Sequence, residues 1–399
     1  MKRVSVVMPV YNVRPYLSEC LDSLLEQTER DIEIICVDDG STDGSAELLS
    51  EYATKDRRIR VVSNHHQGAG AARNCGIALA DGEYLSIVDA DDVFAANMLE
   101  TAADHADEVR AEITIFRHNR IDHRTGRRFD LPHMSAQSKY PTKPVFCAKD
   151  ISTVSGNWMM TVYGWTWDKL FRTSFIREHM FRFQVQPVFN DMLFTYLAVG
   201  LAKRIAYLPT ALMWQRINRP DSTTGKVDRY WHFLFSALLA LQSHFNMHGI
   251  YESNRYEFCY YAVHMMIFAL NQLSSTSAEK FRSLLSSGGL ELLDVDLSRT
   301  GIYEPIERER LITFLSNAKE PVSLSPHASD KPKPVNKRQH WHAKSFHGGF
   351  LAGMGESYSL MAYSSKVLHR LVKCYCDEGA AYTIKRAMAL GRKKDLSRG

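Results

Sequence analysis

The chain has 399 residues, 45% hydrophobic and 24% charged, which is the composition of a globular protein with room for more than one domain. Its seven cysteines, an odd number scattered along the sequence, exclude a regular disulfide framework and favour a reducing compartment. No stretch approaches about 18 uninterrupted apolar residues, and the first residues lead straight into a predicted strand. We therefore expect neither a membrane span nor a secretion signal.

The net charge of +4 is unevenly distributed along the chain. Residues 331–399 carry 14 Lys and Arg against 4 Asp and Glu, a net charge of +10, which leaves −6 for residues 1–330. A basic tail on an acidic body favours an anionic surface, phospholipid or nucleic acid, as its partner. A solvated tail without a partner is the alternative.

Predicted strands and helices alternate over residues 1–120. The predicted strands are apolar at nearly every position, which is typical of strands buried on both faces of a sheet. They lie at residues 4–8, 32–37, 59–62, 84–88 and 113–116. Between them, helical spacing of apolar residues begins at Pro15, recurs around Leu48 and Leu49, and covers the alanine-rich residues 68–80. This alternation predicts an α/β domain with a mainly parallel, Rossmann-like sheet and helices on both faces.

The pattern changes after residue 145. Strand and helix patterns are mixed up to residue 212, and beyond residue 230 the spacing is helical at 231–244, 256–273, 278–285 and 304–318. The composition of residues 323–349 predicts a linker. Residues 366–394 mix basic and apolar side chains, which favours a helix lying on an anionic membrane or packed on the rest of the chain. We predict a domain over 1–225, a helical region over 226–322, the linker over 323–349 and a basic amphipathic tail over 350–399.

Polar residues follow three of the predicted strands, at the point where each strand ends. They are Pro9-Val10-Tyr11-Asn12, Asp38-Asp39-Gly40-Ser41 and Asp89-Ala90-Asp91-Asp92. Because open α/β sheets bind ligands at the carboxyl ends of their strands, we expect these residues to share one crevice. The clustered carboxylates repel one another, which favours a divalent cation and a phosphorylated ligand. A solvated turn with a helix cap is the alternative interpretation.

A nucleotide fits this set of side chains. Tyr11 can stack on a base, Asp38 can accept hydrogen bonds from a base or ribose, and Arg73 can pair with a diphosphate. Gly68 and Gly70 match a fragment of the dinucleotide fingerprint, but they follow the third predicted strand, and position 73 is not glycine. The sequence therefore argues against a nicotinamide-dependent enzyme.

Four segments within residues 1–100 carry a resemblance to a known family. In order and spacing, Pro9–Asn12, Val37–Asp43, Gly70-x-x-x-Asn74-x-Gly76 and Asp89–Asp92 resemble the family 2 glycosyltransferases of the GT-A fold. The resemblance extends more weakly to Trp167-Asp168-Lys169-Leu170-Phe171 and to Asn190-Asp191-Met192-Leu193-Phe194. It implies an inverting transferase that uses a nucleotide-diphosphate sugar together with Mg²⁺ or Mn²⁺.

The resemblance also implies a role for individual residues. Asp191 corresponds to the catalytic base of the family, and Asn190 stands where the family usually has Glu. Asp91 corresponds to a metal ligand, with Asp89 near the metal or the ribose. The implied donor-binding residues are Pro9, Tyr11, Asn12, Asp38, Asp39, Arg73, Asp89 and Arg219. Trp167 and Lys169 are weaker candidates for the acceptor site.

Several of these residues have a structural alternative. Asp191 could instead cap a helix at Met192, Trp167 could be a core residue, and Arg219 could be a surface arginine. Asp92 is expected to be a turn or cap residue rather than a metal ligand.

The predicted function is transfer of a sugar from a nucleotide-diphosphate sugar, a UDP-hexose, to a hydroxyl of a glycan or lipid-linked acceptor. The predicted process is synthesis of a surface or capsular polysaccharide, in the cytoplasm or on the inner face of the cell membrane, without a nucleic-acid partner. A catalytically silent sugar-nucleotide-binding or scaffold protein is one alternative, motivated by Asn190. A nucleotidyltransferase, which would use the same nucleotide crevice, is another.

Overall fold

The computed structural model describes residues 2–131, 136–220 and 227–316. The predicted linker and the predicted basic tail lie outside the described residues. The chain divides into two compact units, Met1–Met265 and Met266–Gly399. The predicted domain boundary at residue 225 falls between two described ranges and stays a prediction. Across the described ranges, no helix combines the length and the apolar character needed to cross a bilayer.

The first unit begins with parallel strands joined by helices. The strands are β1 (Val4–Val10), β2 (Ile32–Asp38), β3 (Ile59–Ser63) and β4 (Tyr84–Ile87), and the helices are α1 (Arg14–Leu25), α2 (Ser45–Lys55) and α3 (Ala69–Leu79). The strands lie side by side in the order β3-β2-β1-β4, each pair parallel. Nearly every residue of β1 is buried, as a strand covered on both faces requires. The predicted alternation of strands and helices is confirmed here.

The sheet continues through strands from later in the chain. They are β5 (Val93–Phe94), β6 (Ile113–Asp122), β7 (Arg128–Phe129), β8 (Lys169–Arg172) and β9 (Ile205–Ile217). From β4 the order is β8-β6-β9-β5, with β7 paired to β6. Only β6 and β9 are parallel in this half, and the pairs β4-β8, β6-β8, β6-β7 and β5-β9 among the described residues are antiparallel. The α/β class is confirmed, and the predicted parallel arrangement holds for the first half of a mixed sheet.

The direction of β8 decides what lies beside the end of β4. Because β8 runs antiparallel to β4, with Ser86 opposite Leu170 and Tyr84 opposite Arg172, its first residue lies at the carboxyl end of β4. Lys169, the first residue of β8, therefore lies at the same sheet edge as the carboxylates that follow β4. The antiparallel direction brings the segment before β8 to the predicted ligand crevice.

Helices complete the first unit. They are α4 (Met98–Val109), α5 (Ala148–Ser155), α6 (Trp158–Thr161), α7 (Thr173–Glu178), α8 (Asp191–Leu201), α9 (Val227–Met247) and α10 (Tyr251–Leu270), the last of which reaches into the second unit. Helix α8 is buried from Met192 to Val199 and packs against α9. Leu17 and Leu21 of α1 and Leu99 of α4 belong to the core under one face of the sheet. Burial of both faces of the sheet holds its strand ends in place.

The second unit is helical over its described residues. It contains α11 (Ser275–Leu284), α12 (Leu290–Leu292) and α13 (Pro305–Ser316). Arg282 joins α11 to α13, because its Nε donates to the carbonyl of Phe314 at 2.7 Å and its guanidinium lies 4.5 Å from the Phe314 ring centroid. The predicted helical C-terminal region is confirmed for the part that is described.

Candidate active site

The predicted crevice lies at the edge of the sheet where β1, β2 and β4 end. The ends of β1 and β2 are tied together, because the Asp39 backbone N–H donates to the Val10 carbonyl at 2.8 Å. The turns that follow are tied as well, since the Asn12 side-chain oxygen accepts from the Thr42 backbone N–H at 2.8 Å. Asn12 has a φ of 52°, a left-handed conformation that Asn adopts more readily than most residues. These contacts hold the first two strand-end motifs in one wall.

Tyr11 is the exposed aromatic residue of this wall. Its side chain is 44% exposed and stacks on His66, with the ring centroids 4.0 Å apart and the planes inclined by 21°. Asp38, at the end of β2, is 5% exposed, and one of its carboxylate oxygens accepts from the Ser41 backbone N–H at 3.2 Å. His66 was absent from the sequence prediction, because a lone histidine between a strand and a helix carries no pattern. Its stacking on Tyr11 makes it part of the same wall.

Asp39 is buried and holds the loop that leads into α3. Its side chain is 1% exposed, and its carboxylate accepts from the backbone N–H groups of Gln67 at 3.0 Å and Gly68 at 2.7 Å. Hydrogen bonds to a charged group contribute about 1.5–3 kcal/mol each. The same carboxylate lies 3.0 Å from His66 Nδ1. The contacts of Asp39 are therefore with protein groups, and its predicted role in donor binding stays a prediction.

Arg73 of α3 joins two of the predicted motifs. One terminal nitrogen donates to Asp89 Oδ1 and the other to Asn190 Oδ1, each at 2.6 Å. The guanidinium lies 5.2 Å from the Phe183 ring centroid, and the side chain is 8% exposed. Its Nε–H is buried and has no hydrogen-bond partner among the described residues. Arg73 thus links the end of β4 to the start of α8 through its two terminal nitrogens.

The motif Gly70-x-x-x-Asn74-x-Gly76 has a packing explanation. A Cβ on Gly70 would lie 2.1 Å from the Gln184 carbonyl oxygen, and a Cβ on Gly76 would lie 2.4 Å from a methyl carbon of Val7. Asn74 holds the same loop on α3, since its amide donates to the Phe183 carbonyl at 2.9 Å and accepts from its N–H at 2.8 Å. The motif lets α3 approach both the sheet and the loop before α8 closely enough for Arg73 to make its contacts.

Asp191 is the first residue of α8 and is partly exposed. The residue before it, Asn190, is the N-cap and makes no side-chain cap hydrogen bond, so Asp191 is not the cap itself. Burial raises the pKa of Asp191 above its ordinary value; Arg73 opposes this shift and Asp89 adds to it. The predicted base and the predicted donor residues therefore lie within electrostatic reach of one another.

The carboxylates after β4 share a nearly buried space. Burial raises the pKa of Asp91 to about 6, with Asp89 adding to the shift and Arg219 opposing it. Asp92 is 2% exposed, and burial together with Asp91 and Asp89 raises its pKa well above the ordinary value. Asp92 is more than a turn residue, because its carboxylate accepts from the backbone N–H of Arg216 at 2.8 Å and anchors the end of β9.

Two arginines from the end of β9 cover these carboxylates. Arg219 Nε lies 2.8 Å from Asp91 Oδ2, and Arg216 Nε donates to the Asp91 carbonyl at 2.8 Å. Both guanidinium groups lie against the ring of Tyr16, at 5.2 Å for Arg219 and 5.4 Å for Arg216, and Arg216 also pairs with Glu19 at 2.5 Å. The structure thus brings Arg219, the arginine chosen from the sequence, directly to the predicted metal ligand.

The carboxylates at the end of β4 fit a divalent cation. Mg²⁺ and Mn²⁺ take carboxylate oxygens and keep further positions for phosphate oxygens. The mutual repulsion of Asp89 and Asp91 contributes to the raised pKa of Asp91, and a cation would relieve it. Within residues 2–131, 136–220 and 227–316, no group of three or more His, Cys, Asp or Glu side chains could hold a metal ion. A site made by Asp89 and Asp91 would need its remaining ligands from bound phosphates or water.

The residues predicted for the acceptor lie beneath an aromatic stack. Trp167 is 4% exposed and Lys169 is fully buried. Lys169 Nζ donates to Asp168 Oδ1 at 2.5 Å and to the carbonyls of Tyr163 and Trp165 at 3.0 and 2.8 Å. Burial raises the pKa of Asp168 and lowers that of Lys169. The acceptor roles of Trp167 and Lys169 stay predictions, because neither side chain is exposed.

The partly exposed rings of this segment are those of Tyr163 and Trp165. Their centroids lie 4.4 Å apart, and the Trp165 ring stacks on Trp167 at 4.6 Å. Sequence reasoning missed Tyr163, although the density of aromatic residues between 158 and 167 was the signal that could have found it. The stack presents flat apolar surface beside Lys169 and hence near the start of α8.

Comparison with known proteins identifies the family. The model of Glycosyl transferase family 2 matches residues 5–164. Staphylococcus aureus TarS 1–349 in complex with UDP-GlcNAc aligns over 73% of this chain and 88% of that one, with a TM-score of 0.47 and 20% sequence identity. The poly(ribitol-phosphate) beta-glucosyltransferase of Bacillus spizizenii is 32% identical over 209 residues, 51% of this chain and 30% of that protein.

A relative that is matched along most of its length decides the assignment. The putative glycosyltransferase EpsH of Bacillus subtilis is 31% identical over 333 residues, which are 78% of this chain and 90% of that protein. The predicted resemblance is confirmed by this match and by the family model. The chain belongs to the family 2 glycosyltransferases and has the GT-A fold.

Proposed function

We propose that the chain is an inverting, metal-dependent hexosyltransferase that moves a sugar from a UDP-hexose to a hydroxyl of a glycan or lipid-linked acceptor. The observation that carries the proposal is the position of Arg73. Its guanidinium contacts Asp89 on the nucleotide side and Asn190 beside the proposed base, each at 2.6 Å. Transfer from a diphosphate needs a cationic group on the donor side of the anomeric carbon and a base on the opposite side. Arg73 contacts a residue of each side.

The nucleotide is proposed to bind along the ends of β1 and β2. Tyr11, with His66 stacked against it, would offer a flat surface to the base, and Asp38 would accept hydrogen bonds from base or ribose. Pro9, Asn12 and Asp39 would support this wall through the backbone. The diphosphate would then lie between Arg73 and Arg219, whose guanidinium groups both face the carboxylates after β4.

Asp91 and Asp89 are the residues that would hold Mn²⁺ or Mg²⁺. A bound divalent cation supplies neutralisation of the charge that develops on the leaving diphosphate. Arg219, which pairs with Asp91 in this structure, would contact the same phosphates.

Asp191 is proposed to accept the proton of the acceptor hydroxyl. The hydroxyl oxygen then bonds to the anomeric carbon as the bond from that carbon to the diphosphate oxygen breaks, through an oxocarbenium-like state. One displacement from the opposite face inverts the configuration and needs a single base. The raised pKa of Asp191, caused first by burial, increases its affinity for that proton.

The acceptor is proposed to be part of a surface or capsular polysaccharide, or its lipid-linked precursor. The Bacillus spizizenii relative is named as a poly(ribitol-phosphate) beta-glucosyltransferase, which supports a polymeric acceptor. The basic residues 331–399 support a position on the inner face of the cell membrane. We expect the full chain to pellet with anionic vesicles and a chain ending at residue 330 not to; equal pelleting of both contradicts the membrane proposal.

The test of the proposed function is a panel of nucleotide sugars incubated with the full chain and Mn²⁺. We expect release of UDP from one UDP-hexose, and its loss in Asp91→Ala and Asp191→Asn. UDP binding without turnover by any sugar would instead favour the silent binding protein. Release of diphosphate from a nucleoside triphosphate would favour the nucleotidyltransferase.

A further inference from the structure

Asn190 is a buried residue with a fixed set of contacts. It is 7% exposed, and its side-chain oxygen accepts from Arg73 at 2.6 Å. Its amide nitrogen donates to the Gln186 carbonyl at 3.4 Å, and its own carbonyl accepts from the Gln184 N–H at 3.3 Å. The amide therefore turns its oxygen to the guanidinium, as an acceptor, and carries no charge.

The missing charge changes the balance around Arg73. A guanidinium between two carboxylates is over-neutralised, whereas Arg73 contacts one carboxylate, Asp89, and one neutral amide, Asn190. With Asp191 included, the group of four carries a net charge of −1, and a carboxylate at position 190 would make it −2. Adding a negative charge to such a group disfavours the ionised form of each carboxylate in it.

The charged and titratable groups that act on Asp191 come from several elements. Arg73 faces it from α3, Asp89 from the end of β4 and Lys169 from the start of β8. Tyr196 of α8 and Tyr261 of α10 are the neighbouring tyrosines. Lys169 is paired with Asp168 at 2.5 Å and Arg73 with Asp89 at 2.6 Å, and of these two cations Arg73 has the larger effect on the pKa of Asp191. A change of charge at position 190 therefore changes the electrostatic effect of Arg73 on Asp191.

We propose that Asn190 is a positioning residue, which holds Arg73 beside Asp191 without neutralising it and so keeps Asp191 available as a proton acceptor. The inference rests on the proposed function, because it takes Asp191 as the base. It also gives the departure from the family pattern a catalytic meaning. A neutral residue at 190 is then compatible with an active enzyme and is no sign of a silent one.

The test compares proteins whose side chains at position 190 have the same shape but different charge. Asn190→Asp differs from the unchanged protein only in charge, and Asn190→Glu is matched by Asn190→Gln. We expect the acid limb of the pH profile for UDP release to move to higher pH in the charged member of each pair, by about 0.5–1 pH unit for one charge added on the residue next to Asp191. The neutral Asn190→Gln should keep the original limb even if its turnover number falls.

The inference is overturned if charge at position 190 has no effect on Asp191. Turnover would then fall equally at every pH, and the acid limbs of each pair would coincide. Asp191→Asn separates the two proposals. If it retains full turnover, the assignment of the base fails; if it loses turnover while the paired limbs coincide, only the role of Asn190 fails.

A second readout does not depend on turnover. The Asp191 carboxyl carbon can be observed by NMR in protein labelled with ¹³C-aspartate and assigned by its loss in Asp191→Asn. We expect its titration midpoint to lie higher in Asn190→Asp than in the unchanged protein, and higher in Asn190→Glu than in Asn190→Gln. Equal midpoints in both pairs would overturn the inference even if no donor sugar had been found.

Discussion

The two halves of the site hold their charges in opposite ways. In the part proposed to bind the donor, called the donor half and lying at the ends of β1, β2 and β4, carboxylates pair with arginines from other elements. Asp89, paired with Arg73, is 34% exposed, and Asp91 and Arg219 are 14% and 16% exposed. In the part proposed to bind the acceptor, the segment 163–169, called the acceptor half, Asp168 and Lys169 are neighbours in sequence and are 1% and 0% exposed.

The difference separates charges that a ligand can reach from charges that hold the fold. A partly exposed pair can exchange its partner for a phosphate or a cation, because the incoming charge replaces the one that leaves. A fully buried pair cannot exchange its partner in this way, since removing either partner leaves an unpaired charge in the interior. We therefore expect substitutions in the donor half to change chemistry and substitutions in the acceptor half to change stability.

The largest effect is expected for Asp191→Asn, at the boundary of the two halves. Loss of a general base lowers turnover by about 10²–10⁴-fold. The free energy of unfolding should be unchanged or slightly higher, because burial disfavours the charged carboxylate that the variant lacks. UDP release and urea unfolding of the same preparations check both parts. A loss of stability large enough to account for the loss of turnover would contradict the catalytic role of Asp191.

Lys169→Met is the strongest expected change in stability. It leaves the Asp168 carboxylate buried without its cation, which costs about 3–5 kcal/mol of the free energy of unfolding. Lys2→Met is the matched control, because Lys2 pairs with Asp31 at the surface, with exposed fractions of 45% and 56%. The control should change the free energy of unfolding by less than about 1 kcal/mol. Equal urea midpoints for the two variants would contradict the sealed character of the acceptor half.

His118 of β6 gives the acceptor half a pH dependence. It is fully buried, and its ring nitrogens have no hydrogen-bond partner among the described residues. Burial lowers the pKa of His118 to about 3, and the nearby cations Arg120, Lys169 and Arg117 add to the shift. At pH 5 the unfolded chain binds a proton here and the folded chain does not, so stability is lost as the pH falls from the ordinary value of 6.5 towards 3.

The expected contribution of His118 at pH 5 is about 2 kcal/mol. Urea unfolding at pH 7.5 and at pH 5 measures it, and the difference between the two values should shrink by that amount in His118→Leu. An unchanged difference would show that His118 is protonated in the folded protein, and the acceptor half would then be less sealed than its burial implies.

The smallest effect is expected for Tyr163→Leu. Loss of one stacked aromatic pair costs about 0.5–1.5 kcal/mol of the free energy of unfolding. If the stack contacts the acceptor, the KM for the acceptor should also rise, while UDP release to water stays the same. Tyr163→Phe, which keeps the ring, is the control. A fall in UDP release to water in Tyr163→Leu would place this residue in the donor half instead.

The sequence by itself determined the local features of this protein. Hydrophobic periodicity located β1, β2, β3 and β4 and the helices between them within a few residues. Asp38 and Asp89 were predicted to share an edge, because parallel strands joined by helices end on the same side of a sheet. The resemblance then supplied Asp91 and Asp191. These features depend on short stretches of chain whose side chains repeat with the period of a strand or a helix.

The partners of the charges were decided only by the tertiary structure. Arg73 meets Asn190 across 117 residues, and Lys169 reaches the end of β4 because β8 runs antiparallel. Asp39 and Lys169 look like solvent-facing ligands in the sequence, yet burial commits them to protein partners. No local period encodes which distant segments meet, since that depends on how strands pair and helices pack. The sequence therefore located the carboxylates, and the fold decided which of them a ligand can reach.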